Sequence, residues 1–138
     1  MKVKIINNSE NPMPAYQTEG SAGMDLYANS DATIQPQETI FIPTGVHIEL
    51  PTGYEAQVRP RSGLSKKGIL AYFGTIDNDY RGDIGIVITN LTHKPFLVAS
   101  GDRIAQLVIG KYERVEWEQV TELSDTVRGT GGFGSTGL

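Results

Sequence analysis

Glycine and proline interrupt this sequence so often that only short strands fit between them. The chain has 16 glycines and 7 prolines in 138 residues, and they fall at short intervals between β-branched stretches. Helical periodicity is never sustained beyond about ten residues, which is below the length of a stable isolated helix. These features predict an all-β domain. The only helical segment that we expect is one short turn around 62–67.

Alternation of apolar and polar residues locates the strands. The stretch Ile84–Ile88 lacks this alternation, which predicts a strand that is covered on both faces. The acidic stretch 113–125 is interpreted as a solvated strand and linker. The other strands are predicted around Val3 and Ile5 and at 40–42, 46–50, 54–59, 96–99 and 103–111.

Composition excludes several classes of protein. There is no cysteine, so neither a disulfide framework nor a thiolate metal site is possible. The N-terminus becomes polar too early for a signal peptide, and the longest apolar stretch, Ile84–Ile88, is too short to cross a membrane. We therefore expect a protein that binds no membrane and resides in the cytoplasm, or in the host cytoplasm if its source is viral.

The charge balance bears on possible ligands. Twelve basic and 16 acidic residues give a formal net charge of −4, which argues against binding to a nucleic acid backbone. A small anion can still bind where basic side chains gather and a divalent cation accompanies it. The candidates for such a gathering are Arg59, Arg61, Lys66, Lys67, Arg81, Arg103 and Arg128.

Two polar, glycine-punctuated segments carry the candidate chemistry. The first, Arg59–Gly68, places a guanidinium, a hydroxyl and a glycine amide side by side, a set that suits phosphate oxygens. The second, Gly74–Asp83, places Asp77 after an apolar residue and has an aromatic residue, Tyr80, three positions later. A phosphate-binding segment together with a carboxylate and a ring indicates nucleotide chemistry.

Five motifs together resemble the homotrimeric dUTP pyrophosphatase (dUTPase) family. They occur in the family's order along nearly the whole chain, as Ala22–Ala28, Arg59–Leu64, Gly74–Gly82, Gly101–Val108 and Arg128–Gly137. The resemblance implies a jelly-roll-like β-barrel of the β-clip type over 1–127, with one short helical turn. A flexible glycine-rich tail over 128–138 would close over an active site. The implied reaction is hydrolysis of dUTP to dUMP and pyrophosphate by in-line attack of water at the α-phosphorus.

The resemblance implies catalytic roles for three residues. Asp77 would orient and deprotonate the attacking water, and Ser62 would donate to an oxygen near the scissile bond. Arg128 would approach the γ-phosphate as an arginine finger does. From the sequence alone, Asp77 could instead cap the turn at 78–79, and the tail could be a disordered terminus.

The resemblance also implies substrate contacts. Tyr80 would pack against the deoxyribose and exclude a 2′-hydroxyl, although a half-buried tyrosine at a strand edge fits the sequence equally well. Main-chain groups of a hairpin at 69–73 would read the uracil edge. This hairpin is shorter than in typical bacterial members, and which of its residues meets the base stays open. Gln106 would contact a phosphate, or could be an ordinary outward side chain. The implied substrate-binding residues are Arg61, Ser62, Gly63, Ala71, Tyr72, Gly74, Thr75, Ile76, Asp77, Tyr80, Gly85, Gln106, Arg128, Phe133 and Gly134.

Mg²⁺ is the implied cofactor, bound mainly by substrate phosphates and water. Asp25 would act on it through water only, or could instead support a turn at the start of a strand. Composite sites are implied at the interfaces of a homotrimer. One chain would supply the group of Asp25, Arg61, Ser62 and Gln106, a second the segment 71–80, and a third the segment 128–134. Asp79 and Asp83 are interpreted as structural or solvated.

Two other functions remain open. A dCTP deaminase shares the fold, but that family usually has a longer chain and places a glutamate where protons are transferred at the base; here Asp77 holds the water-activating position. A binding protein that uses dUTP as a switch for a partner is the second. The products released from each nucleotide, and capture of a partner with and without nucleotide, distinguish these functions.

Overall fold

The computed structural model describes all residues, 1–138, as eleven short strands and one helix. Because the helix has only five residues, no helix in this protein is long and apolar enough to span a bilayer. In chain order the elements are β1 (Lys4–Asn7), β2 (Met24–Tyr27), β3 (Ala32–Ile34), β4 (Thr39–Ile42), β5 (Val46–Glu49), β6 (Tyr54–Arg59), α1 (Ser62–Lys66), β7 (Ile69–Ala71), β8 (Gly74–Ile76), β9 (Ile86–Asn90), β10 (Phe96–Val98) and β11 (Arg103–Lys111).

All strand pairings are antiparallel, and they form four small sheets. The largest has the order β2-β11-β6-β8, and the next has the order β4-β9-β7. Two further pairs join β1 to β5 and β3 to β10. Most partners are distant in sequence, as in the pairing of β2 with β11. The result is the jelly-roll-like, all-β fold that was predicted, with one short helix.

A core of 19 buried residues lies between the sheets. The alternating strands face as predicted, because Val46 and Ile48 on β5 and Ala56 and Val58 on β6 are all buried. The neighbouring residues on β6 face outward, so the outer side of the largest sheet is polar. The helix α1 confirms the predicted turn, although it ends at Lys66.

The stretch Ile84–Ile88 differs from its prediction in one respect. Ile84, Ile86 and Ile88 are fully buried, but Val87 on the opposite face is 42% exposed. Its partner across the sheet, Phe41, is also exposed. Within the chain this strand is therefore covered on one face only. The run of β-branched residues did not reveal which face would be exposed.

The predicted hairpin at 69–73 is wrong. β7 pairs with β9, whereas β8 pairs with β6, so the two strands belong to different sheets. Tyr72 and Phe73 form the corner at which the chain crosses between them. Two short strands separated by two residues favour a hairpin on local grounds, but here the long-range partners of each strand determine the pairing.

The chain leaves the barrel after β11. The N–H of Tyr112 donates to Gly53 O at 3.1 Å, and no later main-chain hydrogen bond reaches the barrel. Residues 113–130 are all exposed and contain no strand, so the strand predicted within 113–125 is absent from the protomer. The exposed C-terminal part of the chain therefore begins at residue 113.

Candidate active site

A cavity beside α1 gathers three arginines around one aspartate. It lies on the polar side of the largest sheet, and Asp25, Arg59, Arg61 and Arg103 are among its lining residues. This local positive excess contrasts with the formal net charge of −4, and it suits a small anion. Arg81 lies elsewhere, because its guanidinium donates to main-chain oxygens of its own loop.

Asp25 holds two of these arginines. Its Oδ1 lies 3.5 Å from Arg61 Nε, its Oδ2 lies 3.3 Å from Arg103 Nη1, and its side chain is only 12% exposed. Arg61 Nη1 also donates to Arg103 O at 2.7 Å. The carboxylate therefore orients Arg61, a role that the sequence did not predict because the pairing of β11 with both β2 and β6 brings these residues together, and Arg61 follows β6.

The predicted phosphate-binding residues of α1 face open space. Ser62 and Gly63 are exposed in its first turn, and a Cβ placed on Gly63 would meet no atom within 4 Å. Gln106 is more constrained. Its Nε2 donates to Pro60 O at 3.0 Å, and its side chain packs over Gly23, where a Cβ would lie 2.4 Å from Gln106 Oε1. Gln106 thus holds the loop that leads into α1.

Asp77 lies in a second cleft, of about 230 Å³, at the other edge of the same sheet. Its side chain is exposed and accepts no hydrogen bond from the rest of the protomer. The turn that follows is closed by the main chain, since Tyr80 N donates to Asp77 O at 3.1 Å. The alternative in which the Asp77 carboxylate caps this turn is therefore wrong, and the carboxylate is free to contact a ligand.

Tyr80 lies in the loop after β8, so the strand-edge alternative is also wrong. It lines the Asp77 cleft, and its Oη donates to Asp83 O at 3.0 Å. The Asp83 carboxylate accepts hydrogen bonds from Thr44 N at 3.0 Å and Gly45 N at 2.8 Å. Asp83 is structural, as predicted, and it fastens the Tyr80 loop to the turn before β5.

Phe41 lines the same cleft, and the sequence did not predict it as a site residue. Its ring is 61% exposed and lies directly over Gly85, where a Cβ would be 1.8 Å from Phe41 Cε2. A side chain at position 85 would therefore displace the Phe41 ring. The apolar run at 40–42 gave no signal that its middle residue faces outward into a cleft.

The corner at Tyr72 and Phe73 presents unpaired main-chain groups. Tyr72 N donates to Val87 O at 2.8 Å, but Tyr72 O and both main-chain groups of Phe73 have no partner within the protomer. The Ala71 side chain is buried, so only its main chain could meet a ligand. Of the predicted residues on β8, Thr75 lines the Asp77 cleft and the Ile76 side chain lies in the core.

The two clefts lie at opposite ends of β6. Ile76, which precedes Asp77, pairs with Ala56 near one end, whereas Arg61 follows the other end. Five residues of nearly extended chain correspond to roughly 15 Å, which is more than one triphosphate spans. A single chain therefore does not bring Asp77 next to Arg61 and Ser62.

The predicted tail residues are separate from both clefts. Arg128 Nε donates to Gly131 O at 2.8 Å within the tail, and Phe133 is fully exposed. Phe133 and Gly134 both have positive φ, 51° and 82°, which bends the chain there. No hydrogen bond joins residues 128–138 to the barrel, so their side chains are available to another surface.

The fold and these clefts define a jelly-roll β-protein with an arginine-lined cavity that suits an anion and, at a distance from it, a free carboxylate beside an aromatic ring. The sequence model of the dUTPase family matches residues 9–137. The chain belongs to the dUTPase family.

Full-length relatives and solved structures agree with this assignment. The chain is 53% identical to the deoxyuridine 5′-triphosphate nucleotidohydrolase of Finegoldia magna, with 99% of each chain covered. It is 50% identical to that of Rickettsia felis, with 100% of this chain and 97% of the relative covered. It also resembles the dUTPase of Staphylococcus bacteriophage 80alpha with dUpNHpp, with a TM-score of 0.89, 30% identity and 99% of each chain covered. A dUTPase variant of the S. aureus phage phi11, which coordinates a structural Mg(II) ion, matches with a TM-score of 0.84 and 27% identity over 91% of this chain and all of that chain.

Proposed function

We propose that this chain is a dUTP diphosphatase that hydrolyses dUTP to dUMP and pyrophosphate. The reaction would limit the incorporation of uracil into DNA and supply dUMP for dTTP synthesis. The observation that carries the proposal is the Asp77 carboxylate, which is free of hydrogen bonds in a cleft with Tyr80. Membership of the dUTPase family supports the choice of substrate.

Water is the proposed nucleophile. Asp77 accepts a proton from the water as its oxygen bonds to the α-phosphorus, and the bond from that phosphorus to the pyrophosphate oxygen breaks in line. Arg61 binds phosphate oxygens, and the Ser62 hydroxyl donates to an oxygen where negative charge builds up. A carboxylate stays a usable base next to a triphosphate only where positive charge offsets the repulsion.

We propose that the corner at Tyr72 and Phe73 reads the base. Tyr72 O can accept a hydrogen bond from uracil N3–H, and Phe73 N can donate to a uracil carbonyl oxygen. Cytosine has no hydrogen at N3, so Tyr72 O would be left without its partner. Sites built on hydrogen bonds can reject such an analogue by roughly 10⁴-fold. Tyr80 would pack on the deoxyribose, and Phe41 would form the facing wall.

The side chains of this protein would accommodate Mg²⁺ only when the phosphates of the substrate hold the ion. No group of three or more His, Cys, Asp or Glu side chains is placed to hold a metal ion, and Asp25 is already paired with two arginines. Asp25 could therefore hold the cation only through water. When bound to phosphate oxygens, Mg²⁺ would offset part of their negative charge.

We propose that three protomers assemble into composite sites. The distance between the two clefts supports this proposal, because a second protomer must bring its Asp77 to the Arg61 cavity. The exposed segment 113–127 also supports it. Trp117 is 93% exposed and Leu123 86% exposed, and apolar side chains exposed together indicate a surface that a neighbour covers. The tail would come from the third protomer.

Two inactive variants should therefore complement each other. Protomers with Asp77→Asn and protomers with Arg61→Ala should each be inactive alone. When the two are co-expressed in equal amounts, turnover should reach about one quarter of the wild-type value. In randomly mixed trimers, one site in four combines an intact Asp77 from one protomer with an intact Arg61 from another. Turnover of the purified mixed oligomers is the measurement. A double variant that carries both substitutions is the control and should stay inactive. Absence of any recovery in the mixture would show that each site lies within one chain.

Tyr80 should control discrimination against ribose. Tyr80→Ala should reduce the preference for dUTP over UTP, measured as a ratio of kcat/KM values, by roughly 10-fold or more, since steric exclusion in a pocket is worth this much. Tyr80→Phe is the matched control, because it keeps the ring and loses only the hydrogen bond to Asp83 O. An unchanged preference in Tyr80→Ala would remove this role from Tyr80.

The proposed activity is tested by incubating the protein with Mg²⁺ and each of dUTP, dCTP, dTTP and UTP. We expect dUMP and pyrophosphate from dUTP and little product from the other nucleotides. Release of ammonia from dCTP would instead identify a deaminase. Binding of dUTP without turnover would favour a nucleotide-controlled binding protein.

A further inference from the structure

Three hydroxyl groups form a chain across the outer face of the sheet β4-β9-β7. Thr39 on β4 pairs directly with Thr89 on β9, and their Oγ1 atoms are 2.5 Å apart. Thr89 Oγ1 in turn donates to Tyr72 Oη at 3.2 Å. Because a threonine hydroxyl has one proton, the donor between the two threonines is Thr39. The series of hydrogen bonds therefore ends at the phenol oxygen of Tyr72.

This chain gives Tyr72 a second attachment to β9. Its main-chain N–H already donates to Val87 O at 2.8 Å, and the phenol reaches Thr89 two residues further along the same strand. The Tyr72 side chain is 47% exposed, so water could satisfy its hydroxyl without Thr89. In the structure the phenol instead contacts Thr89 on β9, which ties the side chain of the corner residue to the sheet.

We propose that Thr89, supported by Thr39, is a positioning residue that holds the corner for recognition of the uracil edge. The proposal rests on the function proposed above, and it concerns the base-reading groups only. Asp77 follows β8, which is anchored separately by its pairing with β6. Loss of the hydroxyl chain should therefore weaken the binding and discrimination of the base and leave the chemical step intact.

The kinetic test compares Thr89→Val, Thr89→Ser and Tyr72→Phe. Thr89→Val and Tyr72→Phe should each raise KM for dUTP by roughly 2- to 10-fold, the range that one hydrogen bond provides, with kcat within about twofold of the wild type. The preference for dUTP over dCTP should fall to a similar extent. Thr89→Ser keeps the hydroxyl and should retain wild-type values. The double variant Thr89→Val/Tyr72→Phe should be no worse than either single variant, since both break one chain.

Hydrogen exchange tests the same proposal without any turnover. The Tyr72 amide, which is bonded to Val87 O, should exchange several-fold faster in Tyr72→Phe and Thr89→Val and at the wild-type rate in Thr89→Ser. Thr89 is buried, so Thr89→Val could fail to fold. In that case the exchange rate of Tyr72→Phe still tests the proposal. Unchanged exchange together with unchanged KM would overturn the proposal. A wild-type protein without dUTP turnover would instead defeat the proposed function, and the exchange rates would still decide whether the hydroxyls hold the corner.

Discussion

Asp77→Asn should reduce kcat for dUTP by roughly 10²-fold or more, the range that loss of a general base produces. The substitution keeps the shape of the side chain and removes its ability to take a proton. Because the carboxylate makes no hydrogen bond within the protomer, stability should change little. Binding of the analogue dUpNHpp should stay close to that of the wild type, and it can be measured by calorimetry.

Asp79→Asn is the matched control for this variant. Asp79 is exposed in the same turn, two residues after Asp77, and it does not line the cleft that contains Tyr80 and Phe41. Its amide variant should have nearly normal turnover. Normal turnover in Asp77→Asn would exclude Asp77 as the base, and equal losses in both variants would indicate a general effect of charge.

Removal of residues 128–138 should abolish most of the catalysis and leave the fold intact. The deletion takes away Arg128 and Phe133, and an arginine that reaches a transferring phosphoryl group contributes at least about 10³-fold to turnover. The barrel should be unaffected, because no hydrogen bond joins the deleted residues to it. Turnover and the thermal midpoint Tm of the truncated chain are the measurements.

A shorter deletion gives the control for the tail. Removal of Gly137 and Leu138 alone leaves the segment 128–134 in place and should preserve activity. The turnover of the single variants Arg128→Ala and Phe133→Ala then shows how much of the lost activity depends on each side chain. Full activity in the chain that ends at Val127 would show that the tail plays no part in the reaction.

Local patterns predicted several parts of the fold correctly. The alternation in 46–50 and 54–59 located β5 and β6 and their buried faces, since period-two burial is a property of each strand by itself. The short turn at α1 and the long strand β11 were also predicted close to their observed positions. No strand was predicted at β2 or β3, which have only four and three residues.

The predictions that failed depended on distant partners. The segment 69–76 has the local pattern of a hairpin, yet β7 and β8 each find a partner elsewhere in the chain. The apolar runs at 40–42 and 84–88 gave no sign that Phe41 and Val87 would face outward. In each case the pairing between strands decides which partner a strand has and which face is exposed. The sequence does not reveal these pairings directly, because they are formed by main-chain N–H and C=O groups, which are the same in nearly every residue.

By itself, the sequence determined the chemical groups available to this protein: a set of arginines, a serine beside a glycine, an acid near a tyrosine, and a glycine-rich end. Only the tertiary structure decided their arrangement. It tied Arg61 to Asp25, left the Asp77 carboxylate free, and separated these two parts along β6. The physical reason is that residue types are local, whereas the distances between them follow from strand pairings that connect remote parts of the chain.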